Sequence, residues 1–153
     1  MSYLETKRNA IMNAVASGQL TNLLANTTWQ EGYYNTDGTI NTNGGNSKVM
    51  YESEYIDVEV GKKYLLIADY SNSSAQYPQR WYKIPQYDSN EDFVSCKDWA
   101  SADTWMWGKT TVSWTTFAQP KIRVSIYTYG NCDITLLDWE ELLNSTNTEN
   151  IGY

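Results

Sequence analysis

The spacing of apolar residues near the amino terminus predicts a short helix. Leu4, Ile11 and Val15 recur at helical intervals, and most positions between them carry charged or amide side chains. Gly18 follows the last of these apolar positions, and glycine commonly ends a helix there. We therefore expect a helix over about residues 3–17.

A second apolar patch, at residues 20–24, follows this helix. A helix of this length is marginal in water by itself, so its apolar side must pack either on the rest of the chain or on another copy. We expect residues 1–26 to form an arm for attachment and oligomerisation, and removal of residues 1–24 to abolish assembly while the rest stays folded. The apolar residues of the arm are Leu4, Ile11, Val15, Leu20, Leu23 and Leu24.

The rest of the chain is predicted to be mainly β, because apolar and polar residues alternate with the period of half-buried strands. Residues 55–60 and 121–127 alternate, and residues 64–68 form an apolar run that suits a strand covered on both faces. Turn-forming residues separate these segments, so residues 27–141 are predicted to be a jelly-roll-type antiparallel β-sandwich, followed by a polar tail over 142–153. The other predicted strands are residues 29–34, 48–52, 80–84, 93–96, 110–117 and 134–139.

Two segments depart from this pattern. Residues 84–86, Ile-Pro-Gln, are expected to interrupt the strand there, because proline has no backbone N–H to donate to a ladder. Residues 98–109 carry three Trp and are predicted to form a surface loop. Exposed Trp is costly apolar surface, so this loop either packs down over one end of the sandwich or is used for binding.

The net charge of the chain argues against some classes of binding partner. The 153 residues include 18 acidic and 11 basic side chains, which gives a formal charge of −7 at pH 7. A chain this acidic is a poor nucleic-acid binder, because phosphate contacts need clustered Lys and Arg. Its apolar runs are shorter than a membrane span. We therefore expect neither nucleic-acid binding nor membrane insertion.

The sequence also predicts no metal site and no cofactor. It contains no His, which is the most common metal ligand and general base. Cys96 and Cys132 lack the Cys-x-x-Cys spacing of a zinc or redox site, and two free thiols are favoured.

Paired carboxylates are the one enzymatic alternative. Glycoside cleavage needs two carboxyl groups across a cleft, and Asp98 and Asp103 flank the Trp-rich segment. A further acidic group, Asp138 with Glu140 and Glu141, lies near a predicted strand end. Such residues are usually solvated turn residues, and no motif with a catalytic mechanism is present, so we expect a protein that is not an enzyme.

Saccharide binding is the more natural use of these residue types. The C–H face of a pyranose lies well on a flat aromatic ring, and its hydroxyls suit amide, carboxylate and guanidinium groups. Residues 98–109 supply both kinds of group, and residues 77–81 supply a second set. The candidate carbohydrate-binding residues are Trp99, Trp105, Trp107, Asp103, Tyr77, Arg80 and Trp81.

Four segments in a fixed order resemble a known family. They are GYYNTDGTI at 32–40, YIDVEVGKKY at 55–64, YDSNEDF at 87–93 and PKIRVSIY at 120–127. Together they resemble the carbohydrate-binding-module-like jelly-roll domains of tailed-bacteriophage baseplate, tail-fibre and receptor-binding proteins, over roughly residues 29–139.

The resemblance implies a virion component that is assembled in the bacterial host cytoplasm and exposed on the particle surface. It implies other virion proteins as partners, a homo-oligomer with a trimer favoured, and host cell-surface polysaccharide as a ligand. The alternative is a purely architectural head-fibre, decoration or tail-adaptor protein without glycan binding. An enzyme acting on cell-wall polymer is a more distant third.

Overall fold

The computed structural model describes residues 3–43, 49–69, 80–98, 103–106, 110–127 and 133–144. This part of the chain is mainly β, and its strands pair in several antiparallel sheets. The helices are α1 (Tyr3–Ala16) and α2 (Trp139–Leu143). The strands are β1 (Gln30–Glu31), β2 (Tyr33–Tyr34), β3 (Ile40–Asn41), β4 (Val49–Tyr51), β5 (Ile56–Asp57), β6 (Lys63–Asp69), β7 (Arg80–Trp81), β8 (Lys83–Tyr87), β9 (Phe93–Asp98), β10 (Asp103–Met106), β11 (Thr110–Thr116), β12 (Lys121–Ile122), β13 (Ser125–Tyr127) and β14 (Asp133–Asp138).

One sheet is formed by strands that continue across short interruptions. Its two ladders have the strand orders β1-β4-β13-β7 and β5-β12-β8-β9. Backbone hydrogen bonds connect these ladders, because Tyr82 N–H donates to the Ser125 carbonyl and Arg123 N–H to the Pro85 carbonyl. The ladders therefore make one continuous sheet, sheet I, in the order β1, β4–β5, β12–β13, β7–β8 and β9.

Pro85 lies inside strand β8, which continues past residue 84, where the predicted strand stops. It pairs with Cys96 of β9 on one side, and on the other its carbonyl accepts from Arg123 N–H at 3.1 Å. Pro85 has no N–H to return to that neighbour. The missing donor coincides with the interruption between β12 and β13, so the ladder is broken locally and the strand continues.

The second sheet, sheet II, has the order β10-β11-β6-β14, and every pair is antiparallel. The short connections 58–62 and 117–120 join it to sheet I at the end where β6 begins, which we call the Lys63 end. Apolar side chains fill the space between the two sheets, as in a β-sandwich. This core contains Leu24, Ile56, Val58, Tyr64, Leu66, Ile84, Phe117, Ile122, Val124, Ile126 and Leu136.

Helix α1 covers the opposite face of sheet II. The side chains of Leu65, Ile67 and Leu137 alternate with core residues and point away from the core. Against them pack Ile11 and Leu20, which are 1% and 2% exposed. The apolar side of the helix therefore packs on its own chain, which is one of the two partners that the sequence left open. Within the described residues, no helix is long and apolar enough to cross a membrane.

Two elements differ from the sequence-based expectation. Part of the predicted loop 98–109 is strand β10, which pairs with β11 as a hairpin. The chain after Asp138 turns into helix α2, where a strand end and a polar tail were predicted. Asp138 caps this helix, because its side chain accepts the Glu140 N–H.

Candidate functional site

Strand β7 approaches strands β6 and β11 at one end of the two sheets, which we call the Asp69 end. In sheet II, Asp69 of β6 pairs with Thr110 of β11 and Asp133 of β14. In sheet I, Tyr127 of β13 pairs with Arg80 of β7. Strand β7 has Cα atoms within 8 Å of β6 and β11, so the two sheets approach each other here.

The predicted saccharide-binding residues are placed as follows. Asp103 and Trp105 lie in β10, at one edge of sheet II. Arg80 and Trp81 form β7 in sheet I. The other three, Trp99, Trp107 and Tyr77, lie outside the described residues. The backbone therefore brings β7 and the Met106–Thr111 end of the β10–β11 hairpin to the same end of the molecule, whereas Asp103, opposite Trp114, lies toward the Lys63 end.

The predicted attachment residues lie in and after α1, and most of them pack inside the chain. Ile11, Leu20 and Leu24 are buried, with at most 5% exposed. Val15 and Leu23 are partly buried against the two apolar clusters. Only the backbone of Leu4 is described, within α1. These side chains do not form a free apolar stripe while α1 stays packed, and attachment through residues 1–26 stays a prediction.

A cluster of aromatic rings around Arg123 lies on the outer face of sheet I, and sequence reasoning did not find it. Arg123 lies between Ile122 and Val124, which both pack in the core, so its side chain points to the opposite face. The guanidinium carbon lies 5.0, 4.7 and 4.8 Å from three tyrosine ring centroids. We call Arg123 with Tyr34, Tyr55 and Tyr87 the tyrosine–arginine cluster.

The β2–β3 hairpin brings Tyr34 onto this face. The Tyr34 hydroxyl donates to the carbonyl oxygen of Glu52 at 2.5 Å, and its ring is fully buried. The turn between the strands is held by Asp37, whose carboxylate accepts the Thr39 N–H and hydroxyl. These hydrogen bonds keep the pKa of Asp37 below its usual value. The hairpin therefore fixes one wall of the cluster.

Tyr55 and Tyr87 form the other side of the cluster. Their rings meet edge to face, with centroids 4.9 Å apart, and Phe93 meets the Tyr87 ring with centroids 6.0 Å apart. The Nε–H of Arg123 donates to the Tyr87 hydroxyl at 2.9 Å. Burial raises the pKa of Tyr87, and burial also raises the pKa of Tyr34. Both phenols are therefore neutral near pH 7, and Arg123 is the charged group of the cluster.

Arg123 differs from several other cations in what it contacts. Lys83 contacts Asp98, Lys121 contacts Asp57, and Lys62 contacts Glu59 and Glu140, all at 3.3 Å or less. Among the described side chains, no carboxylate lies within 4.0 Å of the Arg123 guanidinium. Its positive charge is held by aromatic rings and neutral oxygens.

The carboxylates of the enzymatic alternative are engaged in hydrogen bonds and ion pairs. Asp98 pairs with Lys83, Asp138 caps α2, and Glu140 pairs with Lys62. Glu141 accepts the backbone N–H of Thr21. Of Asp103 the structure describes the backbone, which lies in β10.

Two cavities lie beside this acidic part of the surface. One, of about 220 Å³, is lined by Glu52, Glu54 and Tyr55 among others, and the other, of about 300 Å³, by Asp57, Glu59 and Asp138 among others. The buried Glu52 carboxylate is already hydrogen-bonded to the backbone, because its two oxygens accept the N–H groups of Glu54 and Thr28. In the described part of the chain, no group of three or more Cys, Asp or Glu is placed to hold a metal ion.

Cys96 carries a free thiol on β9, and burial raises its pKa. Cys132 lies outside the described residues.

Comparisons of this chain with protein-family models, with curated proteins and with solved structures give no match.

Proposed function

We propose that this chain is a non-enzymatic structural protein of a tailed-bacteriophage virion, built on a carbohydrate-binding-module-like jelly roll. The strand order supports a jelly roll, because the chain crosses repeatedly between the sheets. It passes from β4–β5 in sheet I to β6 in sheet II and back to β7–β8, and later from β11 to β12–β13 and on to β14. Such alternation is expected of two Greek keys folded into one sandwich.

The amino-terminal segment also supports the assignment of a jelly-roll fold. Residues 20–24 run beside β14, where Leu23 N–H donates to the Leu136 carbonyl at 2.9 Å. This is the position that one more edge strand of sheet II would occupy. The segment therefore extends the hydrogen bonding of a sheet that would otherwise end at β14.

We further propose that the protein binds host cell-surface saccharide at the Asp69 end. The observation that carries this proposal is the approach of β7 to β11 there, because β7 includes Arg80 and Trp81, and β10, the hairpin partner of β11, includes Trp105. Asp103, opposite Trp114, lies nearer the Lys63 end of β10. The three other candidates belong to connections of the same strands. Tyr77 lies between β6 and β7, Trp99 between β9 and β10, and Trp107 between β10 and β11.

Attachment to the particle is assigned to residues 1–26, with other virion proteins as partners and a homotrimer as the favoured assembly. Because the apolar side of α1 is packed on sheet II, a partner would contact its exposed side, where Asn13 and Ala16 lie.

Removing two Trp side chains tests the saccharide proposal. The double variant W105A/W107A is expected to lose binding on an array of bacterial surface glycans, while W139A retains it. Trp139 is a matched control because it lies in α2, which follows β14 at the Lys63 end. Near-UV circular dichroism checks that all variants are folded. Unchanged glycan binding by a folded W105A/W107A variant would contradict the proposal.

The architectural alternative is favoured by one observation. Strand β9 forms an edge of sheet I in the described structure, and it begins with Phe93 and Val94, which are 40% and 48% exposed. Exposed apolar side chains on a free strand edge are typical of surfaces that contact another subunit. A wild-type protein that binds no glycan, and whose F93S/V94S variant no longer joins the particle, would establish this alternative.

A further inference from the structure

We propose that the tyrosine–arginine cluster is a binding site for an anionic sugar, with the Arg123 guanidinium on the anionic group and an aromatic ring beneath the pyranose. The site lies on the outer face of sheet I, in residues distinct from the candidates at the Asp69 end. The choice of a sugar as ligand rests on the proposed saccharide-binding function.

Arg123 has more N–H donors than its partners within the described structure use. A guanidinium has five N–H donors in a planar fork. Within the described structure, Nε donates to the Tyr87 hydroxyl at 2.9 Å and Nη1 donates to the Ser53 carbonyl over a long 3.5 Å. The remaining N–H groups have the geometry that recognises a carboxylate or a phosphate through two parallel hydrogen bonds.

The three tyrosine rings prepare Arg123 for this role. Each ring centroid lies within 5.0 Å of the guanidinium carbon, and aromatic faces stabilise a cation without neutralising it. A carboxylate partner would instead both neutralise the charge and occupy N–H donors. The side chain is therefore held in place, partly exposed and still positively charged, which lowers the entropy that a ligand must overcome.

Neighbouring aromatic rings supply a surface for the sugar ring. Tyr55 is partly exposed beside Arg123, and Phe93, whose ring contacts that of Tyr87, is 40% exposed. A pyranose stacks its C–H face on such rings. An anionic group on that pyranose would reach Arg123, so the site fits a hexuronate or a sugar phosphate better than a neutral hexose or an isolated small anion.

The net negative charge of the chain means that an anionic sugar would have to be held by local contacts at Arg123. The chain carries a net charge of −7, so its long-range field repels anions and does not collect them. Binding of an anionic sugar must then come from local contacts. A single substitution at Arg123 is therefore expected to remove most of it.

Side-chain NMR of the wild-type protein tests the proposal. The three Arg residues, Arg8, Arg80 and Arg123, each give one Nε–Hε signal, and the Arg123 signal is identified by its loss in R123K. Glucuronate, glucose 6-phosphate and glucose are titrated separately. We expect the Arg123 signal to shift saturably with glucuronate or with glucose 6-phosphate and not with glucose. The effective anion identifies a carboxylate or a phosphate as the source of the charge.

Variants provide the second measurement. R123K is expected to bind the effective anionic sugar about tenfold more weakly, because lysine cannot form the bidentate contact, while R8K, with the substitution in α1, binds it as the wild type does. The proposal is overturned if neither anion shifts the Arg123 signal, if glucose shifts it equally, or if R8K rather than R123K loses binding.

The glycan-array result for W105A/W107A and the Arg123 titration together distinguish binding at the tyrosine–arginine cluster from binding at the Asp69 end. Glycan binding that is lost in W105A/W107A, together with an unresponsive Arg123, removes the inference and leaves the proposed function in place. A responsive Arg123 with unaffected binding in W105A/W107A supports the inference and removes the assignment to the Asp69 end.

Discussion

Leu23 donates its backbone N–H to the carbonyl oxygen of Leu136 at 2.9 Å, and this bond joins the segment after α1 to strand β14. The side chain of Asn22 reinforces the connection, because its Oδ1 accepts the backbone N–H groups of Leu24 and Leu136, both at 2.9 Å. The amino-terminal segment is thus hydrogen-bonded into sheet II as well as packed on it. A detachable arm would lack such bonds.

Deletion of residues 1–24 is therefore expected to destabilise the sandwich, in contrast to the sequence-based expectation that the rest stays folded. The deletion exposes Leu65, Ile67 and Leu137 to water and removes the partner of the Leu136 carbonyl. Urea unfolding followed by tryptophan fluorescence measures the change. A truncated chain with an unchanged unfolding midpoint would show that α1 is an independent arm.

Two single substitutions in α1 test the packing of this helix on sheet II with a smaller change than the deletion. I11A is expected to lower the free energy of unfolding by about 2–5 kcal/mol, because it leaves a cavity between α1 and sheet II. N13A, at an exposed position of the same helix, is expected to change it by about 0.5 kcal/mol or less. Equal effects of the two substitutions in urea unfolding would contradict the packing of α1.

The β2–β3 hairpin is predicted to depend on Gly32. Its φ is +134°, and a Cβ there would lie 2.4 Å from the Asn41 carbonyl oxygen, so alanine would displace the backbone of β3. Gly61 is a matched control, since its φ is +82° but a Cβ would meet nothing within 4 Å. We expect G61A to cost about 1 kcal/mol and G32A to cost clearly more. Thermal unfolding compares them, and equal melting temperatures would contradict this prediction.

Glu52 is predicted to stabilise the fold through hydrogen bonds to the backbone. Its side chain is 3% exposed and accepts the N–H groups of Thr28 and Glu54. E52A removes the acceptor of both partly buried N–H groups, so we expect a loss of about 1–3 kcal/mol in the free energy of unfolding. E54A, two residues away at an exposed position, serves as the control. A loss in E54A as large as that in E52A would exclude this role.

Alkaline pH is predicted to destabilise the protein through its buried phenols. Burial raises the pKa of Tyr34 and of Tyr87 above the ordinary value of 10.0. The folded state therefore keeps its protons where the unfolded state has lost them. The stability contribution of these two groups is complete below pH 10 and is lost as the pH rises toward their folded pKa values.

Ultraviolet titration at 295 nm detects this behaviour. If Tyr34 stays neutral in the folded protein at pH 11, Y34F shows the same phenolate absorbance there as the wild type. If Tyr34 ionised in the ordinary range, Y34F would instead show less phenolate absorbance than the wild type, by at least about one part in 13, because the chain has 13 tyrosines. That reduction, in protein shown by circular dichroism to be folded, would contradict the prediction.

Much of the strand pattern was predictable from the sequence. Residues 64–68 and 110–117 correspond closely to β6 and β11. Strand β6 lies in the middle of sheet II and is covered on both faces, so it shows as an apolar run, whereas β11 is rich in Thr, which favours strands. Strand β10 was missed because an edge strand pairs on one side only and carries little pattern of its own. Helix α2 had a signal in Asp138 followed three residues later by Glu141, the spacing of a helix cap.

The tyrosine–arginine cluster was less accessible to sequence reasoning. Tyr34, Tyr55, Tyr87 and Arg123 come from separate elements, and only the register of sheet I with the hairpin laid over it brings them together. An Arg among the apolar residues of 121–127 was visible in the sequence, but its neighbours across the sheet were not. Tertiary pairing, which short-range pattern does not encode, decides that part of the site.

Labelling of purified phage particles tests the central claim, that this chain is a structural protein of a virion, most directly. Phage particles are purified by density gradient from a culture that produces the chain and are incubated with a gold-conjugated antibody against the protein. The account predicts gold at a fixed, repeated position on intact particles in electron micrographs. Unlabelled particles, with the protein found only in the soluble fraction of the lysate, would contradict it.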